Sequence, residues 1–192
     1  MAPARKGSPR AFRPRVDHTH ETLRYATAET SLGVALAAVS DIGLIWSGLS
    51  ASSESALRAL RRRLPQAQLA PAKAEPLKIV RAIAVFIDKQ KALPEFALDP
   101  RGGELDIIIW RAAMQAPFGE MRAYSDIARL IGKPRAARAV GKAMAACDHF
   151  PVVPHHRIRR ADGGLSGDPA WVRLQKIMVE REQDARDRKA RY

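Results

Sequence analysis

Residues able to do chemistry gather between positions 147 and 158, in Cys147, Asp148, His149, His155, His156 and Arg157, within and just before the run Pro154-His155-His156-Arg157-Ile158. Thiol, carboxylate and imidazole are all metal ligands, yet their spacing fits no standard zinc pattern, and adjacent histidines rarely both face one ion. No metal and no cofactor are expected. Imidazole can instead act as a general base or as a nucleophile. Near its reference pKa of about 6.5 it is a weaker nucleophile than a thiolate. Cys147 is the single cysteine. A lone cysteine is most often a small buried hydrophobe, so an acceptor role for it stays a minor alternative. With one cysteine there is no intrachain disulfide, which suits a reducing, cytoplasmic compartment. His18 and His20 precede the folded part and are read as tail.

Charge points to a partner class. The chain has 192 residues, with 33 Lys plus Arg against 20 Asp plus Glu, a formal net charge of +13. Such a surplus attracts polyanions, above all nucleic acid, although it equally describes a basic protein without such a partner. Hydrophobic residues make up 46%, enough for a packed core. The longest apolar run, from Ile79 to Ile87, is broken by Arg81, so no membrane span is expected. The basic N-terminus has no apolar stretch behind it and does not read as a secretory signal.

The elements that must position these residues follow from periodicity. Residues 1–20 are basic and proline-punctuated, and read as a flexible arm. Strands are expected at 22–28, 34–39 and 44–46. A helix capped by Ser52 or Ser53 runs to about Leu64, its basic face read as solvated. Residues 66–76 are expected to form a loop, and 77–90 a helix with Ile79, Ile83, Phe86 and Ile87 as its stripe. Residues 93–103 read as a linker. Helices follow at 105–115, 124–131 and 135–146, the last two making a helix-turn-helix. A glycine-rich loop over 162–168 precedes a final helix, and 185–192 form a charged tail. The domains expected are thus 21–92, an α/β lobe, and 104–184, a mostly helical lobe.

Residues 135–144 are small-sided: Ala136, Ala137 and Gly141 allow close backbone approach, to a neighbouring helix or to DNA. Arg135, Arg138 and Lys142 recur at spacings of three and four, as one basic stripe.

These segments resemble the O6-alkylguanine-DNA alkyltransferases. The likeness runs from about Thr22 to Glu182 and includes Leu98-Asp99-Pro100-Arg101-Gly102-Gly103, Ala116-Pro117-Phe118-Gly119-Glu120 and Asp162-Gly163-Gly164-Leu165-Ser166-Gly167. It is similar to the methyltransferase half of the bacterial adaptive-response protein. The resemblance implies an α+β fold: a small ribonuclease-H-like N-terminal lobe and a helical C-terminal lobe whose helix-turn-helix binds the minor groove. The family reads Pro-Cys-His-Arg where this chain reads Pro154-His155-His156-Arg157, so His155 stands at the alkyl-acceptor position, as in alkyltransferase-like proteins lacking that cysteine.

By the same resemblance, His156 is the base, Glu182 orients it, and Tyr124 helps turn the nucleotide out and protonates the departing base. Arg138 fills the gap left by the extruded base. Arg135, Ala136, Ala137, Gly141 and Lys142 accompany it on DNA. Met144, Ile158, Pro154, Ser166 and Asp168 line the lesion pocket. Cys147-Asp148 replaces the usual asparagine-proline hinge, and Asp168 a tyrosine. The expected activity is a monomeric, non-consuming reader of O6-alkylguanine in duplex DNA, handing lesions to nucleotide-excision-repair proteins. Two alternatives remain open: a suicidal alkyltransferase with His155 as acceptor, and a DNA-binding regulatory domain without lesion preference.

Overall fold

The computed structural model describes residues 21–72 and 74–191. The basic arm over 1–20 lies outside them. Three consecutive strands, β1 (Thr22–Thr30), β2 (Gly33–Val39) and β3 (Leu44–Ser50), form an antiparallel meander. A fourth, β4 (Gln68–Pro71), pairs parallel with β1, giving the order β3-β2-β1-β4. This corrects the loop expected over 66–76. Four residues with no alternation of their own become a strand because β1 offers a free edge, from Thr22↔Gln68 to Tyr25↔Pro71. Pro71 is tolerated because β4 is itself the outer strand, where one missing donor breaks no ladder.

Strand β2 explains the layering. Leu36 and Ala38 face Ala56 and Leu60 of α1 (Ser53–Arg63), while Ala35, Ala37 and Val39 face Ile79, Ile83 and Ile87 of α2 (Glu75–Lys89). Alternate residues of a strand point to opposite faces, so a run that is apolar throughout must be covered twice. The stripe expected on α2 is buried as read. Ser52 caps α1 by accepting from the Ser55 amide.

The helical part contains α3 (Glu104–Ala113), β5 (Arg122–Ala123), α4 (Tyr124–Leu130), α5 (Ala137–Ala146), a 3-10 turn (His155–Arg157), β6 (Ile158–Arg159) and α6 (Pro169–Ala190). Helices α3, α4 and α5 share one apolar cluster that includes Ile109, Trp110, Ile127, Val140 and Met144. The Trp110 indole N–H donates to the Ala143 carbonyl at 2.8 Å, tying α3 to α5. Helix α5 begins two residues later than its expected start at 135, leaving Arg135 and Ala136 in the turn before it. Helix α6 continues to Ala190, so most of the charged C-terminal segment is helical, and Ala185 is buried.

Two connections lock the sheet to the helices. Residues 97–99 run beside β3, with the Leu44 amide donating to the Ala97 carbonyl and the Asp99 amide to the Leu44 carbonyl, both at 2.8 Å. Buried Arg101 then donates to Asp99 at 2.7 Å and to Glu21 at 2.9 Å. On the other side, Phe150 and Met178 of α6 enter the α2 face of the sheet core. The α+β class expected from the sequence is the class observed.

Candidate active site and nucleic-acid interface

The His155–Arg157 turn sits where three elements converge: the end of α5, the 162–168 loop and α6. Its second residue, His156, is fully buried. His156 Nε2 lies 2.7 Å from Glu182 Oε1. Glu182 is equally buried, and is far from the solvent-facing helix position its charged neighbours would suggest. The carboxylate also accepts from Arg157 Nε at 2.8 Å, from an Arg157 terminal nitrogen at 2.9 Å and from the Gly119 amide at 2.9 Å. Arg157 in turn donates to the Ala116 carbonyl.

These contacts set the protonation pattern. Burial by itself would push Glu182 up, but the hydrogen bonds and charges of His156 and Arg157 hold it below the usual carboxylate range. Burial is the largest influence on His156 and pulls it below its ordinary value, despite Glu182. An ionised Glu182 can only accept, so a neutral His156 carries its proton on Nε2. Nδ1 then presents a lone pair, and it has no protein partner. His156 is therefore held in one tautomer by Glu182, with its lone pair on Nδ1.

His155 lines a cavity of about 240 Å³ together with Tyr124, Gly141, Met144, Ile158 and Ser166, all expected near the lesion or the DNA. Burial pushes His155 down to about 3, so its imidazole is neutral at physiological pH. Gly141 permits the close approach on which this wall depends: a Cβ there would already be in contact with the Tyr124 ring, at 3.6 Å, leaving little room for a longer side chain.

Two residues expected in the pocket stand elsewhere. Pro154 lines a separate cavity of about 540 Å³ on the side of Phe118 and Arg157. Asp168 is exposed and caps α6, accepting from the Trp171 amide at 2.9 Å. The dominant demand on Asp168 is the helix N-terminus, where a carboxylate satisfies an otherwise unpaired donor. Conversely, Trp171 and Gln175 line the 240 Å³ cavity, although sequence reasoning missed both. Their place on the first turns of a helix after a glycine-rich loop was the only available signal. Arg157 and Gly119 belong to segments that match the family, but their grip on Glu182 has no local signature.

Cys147 is outside the cavity lining, at the C-cap of α5, and burial raises its thiol well above the ordinary range. A raised thiol is a poorer nucleophile than a thiolate at neutral pH. Asp148 has a different partner: Arg63 Nε of α1 lies 2.7 Å from its carboxylate, while a terminal Arg63 nitrogen donates to the Ala146 carbonyl. The Ser47 amide donates to the Asp148 carbonyl, and His149 contacts the Leu44 carbonyl at 3.1 Å. The segment after α5 is thereby pinned to β3 and α1. Among the described residues no group of three or more possible metal ligands converges, and no helix is long and apolar enough to cross a membrane.

Helices α4 and α5 are joined by a turn, which carries exposed Arg135, while Arg138 and Lys142 lie on the outer side of α5. Arg138 and Lys142 are one helical turn apart, whereas Arg135 precedes the helix, so the basic stripe is shorter than its spacing suggested.

A four-stranded sheet with its helices packs on a helical lobe, and a cavity of about 240 Å³ opens between α4, α5 and α6. The chain is similar to the O6-methylguanine-DNA methyltransferase family. The family model for the 6-O-methylguanine DNA methyltransferase DNA-binding domain matches residues 104–184. The chain is 32% identical over 166 residues to the bifunctional transcriptional activator/DNA repair enzyme Ada of Escherichia coli, covering 86% of this chain and 47% of that protein. It is 36% identical over 99 residues to a methylated-DNA–protein-cysteine methyltransferase of Methanosarcina acetivorans, covering 52% of this chain and 63% of that one.

The chain spans about half the length of the curated relatives it first matches. Among solved structures, a variant of the Mycobacterium tuberculosis O6-methylguanine methyltransferase superposes with a TM-score of 0.70 at 26% identity, over 84% of this chain and 93% of that one. The M. tuberculosis protein in complex with DNA gives 0.69 at 25% identity, with the same coverage.

Proposed function

We propose that this chain binds duplex DNA as a monomer, turns O6-alkylguanine into the 240 Å³ cavity and holds it without taking the alkyl group. One observation carries the reading: the wall of the cavity at the acceptor position is the neutral imidazole of His155, in a turn whose next residue, His156, is locked to Glu182 beneath the surface. Transfer to His155 would form a bond from a ring nitrogen to the alkyl carbon and break the carbon–O6 bond, with guanine leaving as an anion that then takes the remaining ring N–H proton. The immediate product is an alkylimidazolium cation. Burial penalises that cation just as it penalises protonation, and His155 is already pushed down to about 3 for that reason.

Charge and shape support docking. The surplus of +13 favours phosphate contacts with counterion release. Helix α5 presents Arg138 and Lys142 outward beside small Ala137 and Gly141, which suits close approach in the minor groove. The alkylated oxygen is inaccessible in the stack, so the base must leave it at a cost of a few kcal/mol. An inserted Arg138 offsets part of that cost. Tyr124, on the cavity rim, guides the extruded nucleotide. A reader that removes nothing leaves the lesion to other proteins, and nucleotide-excision-repair proteins are the class expected to collect it.

The test is intact-protein mass after incubation with an O6-methylguanine duplex, run beside competition between lesion and plain duplex. A lesion reader requires unchanged mass and preference for the lesion. A methyl adduct mapped to His155 would instead make the chain a suicidal alkyltransferase, and equal affinity for both duplexes would leave a DNA-binding domain without lesion preference.

A further inference from the structure

We infer that His155 reads the alkylation state of the extruded base, its Nδ1–H donating a hydrogen bond to N1 of the purine. The inference rests on the lesion-reader reading above, and names how that cavity tells a lesion from plain guanine. The two ring nitrogens of His155 are not equivalent. Nε2 is closed off from solvent and has no hydrogen-bond partner. Nδ1 has no protein partner either, but it is not sealed, and the side chain lines the 240 Å³ cavity.

The neutral ring carries one proton. On Nε2 that proton would make a buried N–H with nothing to receive it. An orphaned donor is rarer in folded proteins than an orphaned lone pair. The proton therefore belongs on Nδ1, and the lone pair on the sealed Nε2. Phe150 and Trp171 each meet the His155 ring at 87°, with centroids 6.2 and 6.0 Å away. The His155 amide donates to the Val153 carbonyl at 2.9 Å. Ring and backbone are both held, so the donor keeps one direction.

The base supplies the complement. Guanine carries a proton on N1 and donates there. An alkyl group on O6 fixes the ring in the form whose N1 has a lone pair and accepts. N1 is thus the position whose hydrogen-bonding sense alkylation inverts. A donor in the cavity wall pairs with the lesion and opposes guanine, so attraction to one ligand and repulsion of the other act together. What is read is the alkylation itself, not the size of the alkyl group. The same tautomer presents the alkyl carbon with an N–H and not an electron pair, which suits a reader that takes nothing.

The experiment uses the full chain as wild type, His155→Leu and His155→Asn. The duplexes carry O6-methylguanine, its 1-deaza analogue, its 7-deaza analogue or guanine. Affinities come from competition, and the tautomer of His155 from ring-nitrogen NMR of wild type, assigned by the signals missing in the variants.

Wild type is expected to carry the ring proton on Nδ1. Its preference for O6-methylguanine over the 1-deaza analogue should exceed that of His155→Leu by about fivefold, the scale of one net hydrogen bond. The amide N–H of His155→Asn overlays Nδ1–H and should restore most of that difference. A ring proton on Nε2, or the same 1-deaza ratio in wild type and His155→Leu, would overturn the inference. So would a loss seen with the 7-deaza analogue instead, because alkylation does not change N7. If His155→Leu does not fold, the wild-type tautomer decides. A lesion preference that survives in His155→Leu with an unchanged 1-deaza ratio would sink this inference alone. Wild type binding O6-methylguanine and guanine equally would sink the lesion-reader reading, and this inference with it.

Discussion

His156 and Glu182 meet at 2.7 Å with neither side chain reaching solvent. The carboxylate that fixes the histidine also pairs with Arg157, whose guanidinium is mostly buried. Glu182→Gln keeps the shape but removes the charge. It should destabilise the fold by about 3–5 kcal/mol, because breaking a buried pair leaves a buried cation uncompensated. Urea melts read the change. A loss below about 1 kcal/mol would mean that the pair contributes little net stability.

Acid should unfold this protein through its histidines. Burial is the first cause in each case: it pushes His149 down to about 4 and His155 to about 3, and it also lowers His156. The unfolded chain protonates all three near pH 6.5, and the folded chain does not. Their contribution is therefore fully present above about pH 6.5 and is lost as pH falls toward the folded values. Each proton is worth about 1.4 kcal/mol per pH unit, so three give a slope of up to about 4 kcal/mol per unit between pH 6 and 4. Urea midpoints from pH 7.5 to 4.5 should fall steeply, and less steeply in His149→Gln. A flat profile would contradict the buried neutral state.

Arg138→Ala should weaken lesion binding far more than plain-duplex binding, since its proposed work is to stabilise the extruded state. Arg13→Ala, in the arm outside the described residues, should lower both slightly. Affinity for any duplex should fall steeply with salt. If Arg138→Ala lowers both affinities by the same factor, Arg138 is only a phosphate contact.

Arg63 and Asp148 should be energetically coupled. Arg63 joins α1 both to Asp148 and to the Ala146 carbonyl at the end of α5. A double-mutant cycle with Arg63→Met and Asp148→Asn should give about 1 kcal/mol, the scale of a partly exposed pair. A coupling near zero would remove any role for this pair in fixing the end of α5.

His155→Cys tests what remains of transfer chemistry. A thiolate at that position would attack the methyl carbon, form a thioether and release guanine. If His156 acts as the base that the resemblance implies, slow, stoichiometric methylation of the new cysteine is expected by peptide mapping, with none in wild type. A methyl group found on Cys147 instead would show that the acceptor position was misassigned.

Much of this was legible because it is local. The Pro154-His155-His156-Arg157 run carries the resemblance that puts His155 at the acceptor position. The spacing of Ile79, Ile83, Phe86 and Ile87 foretells the buried face of α2, and the small residues of 136–144 foretell a helix that neighbours can approach closely. Periodicity and residue type carry such features because they depend on neighbours within two turns.

Tertiary structure alone decided the rest. Strand β4 exists because β1 has an edge to fill, not because 68–71 alternate. Trp171 entered the pocket through the way α6 leaves its loop. Arg63 left its solvated face for Asp148, 85 residues away. Each of these is settled by long-range contact and burial, whose energies outweigh local preference and leave no periodic trace in the chain.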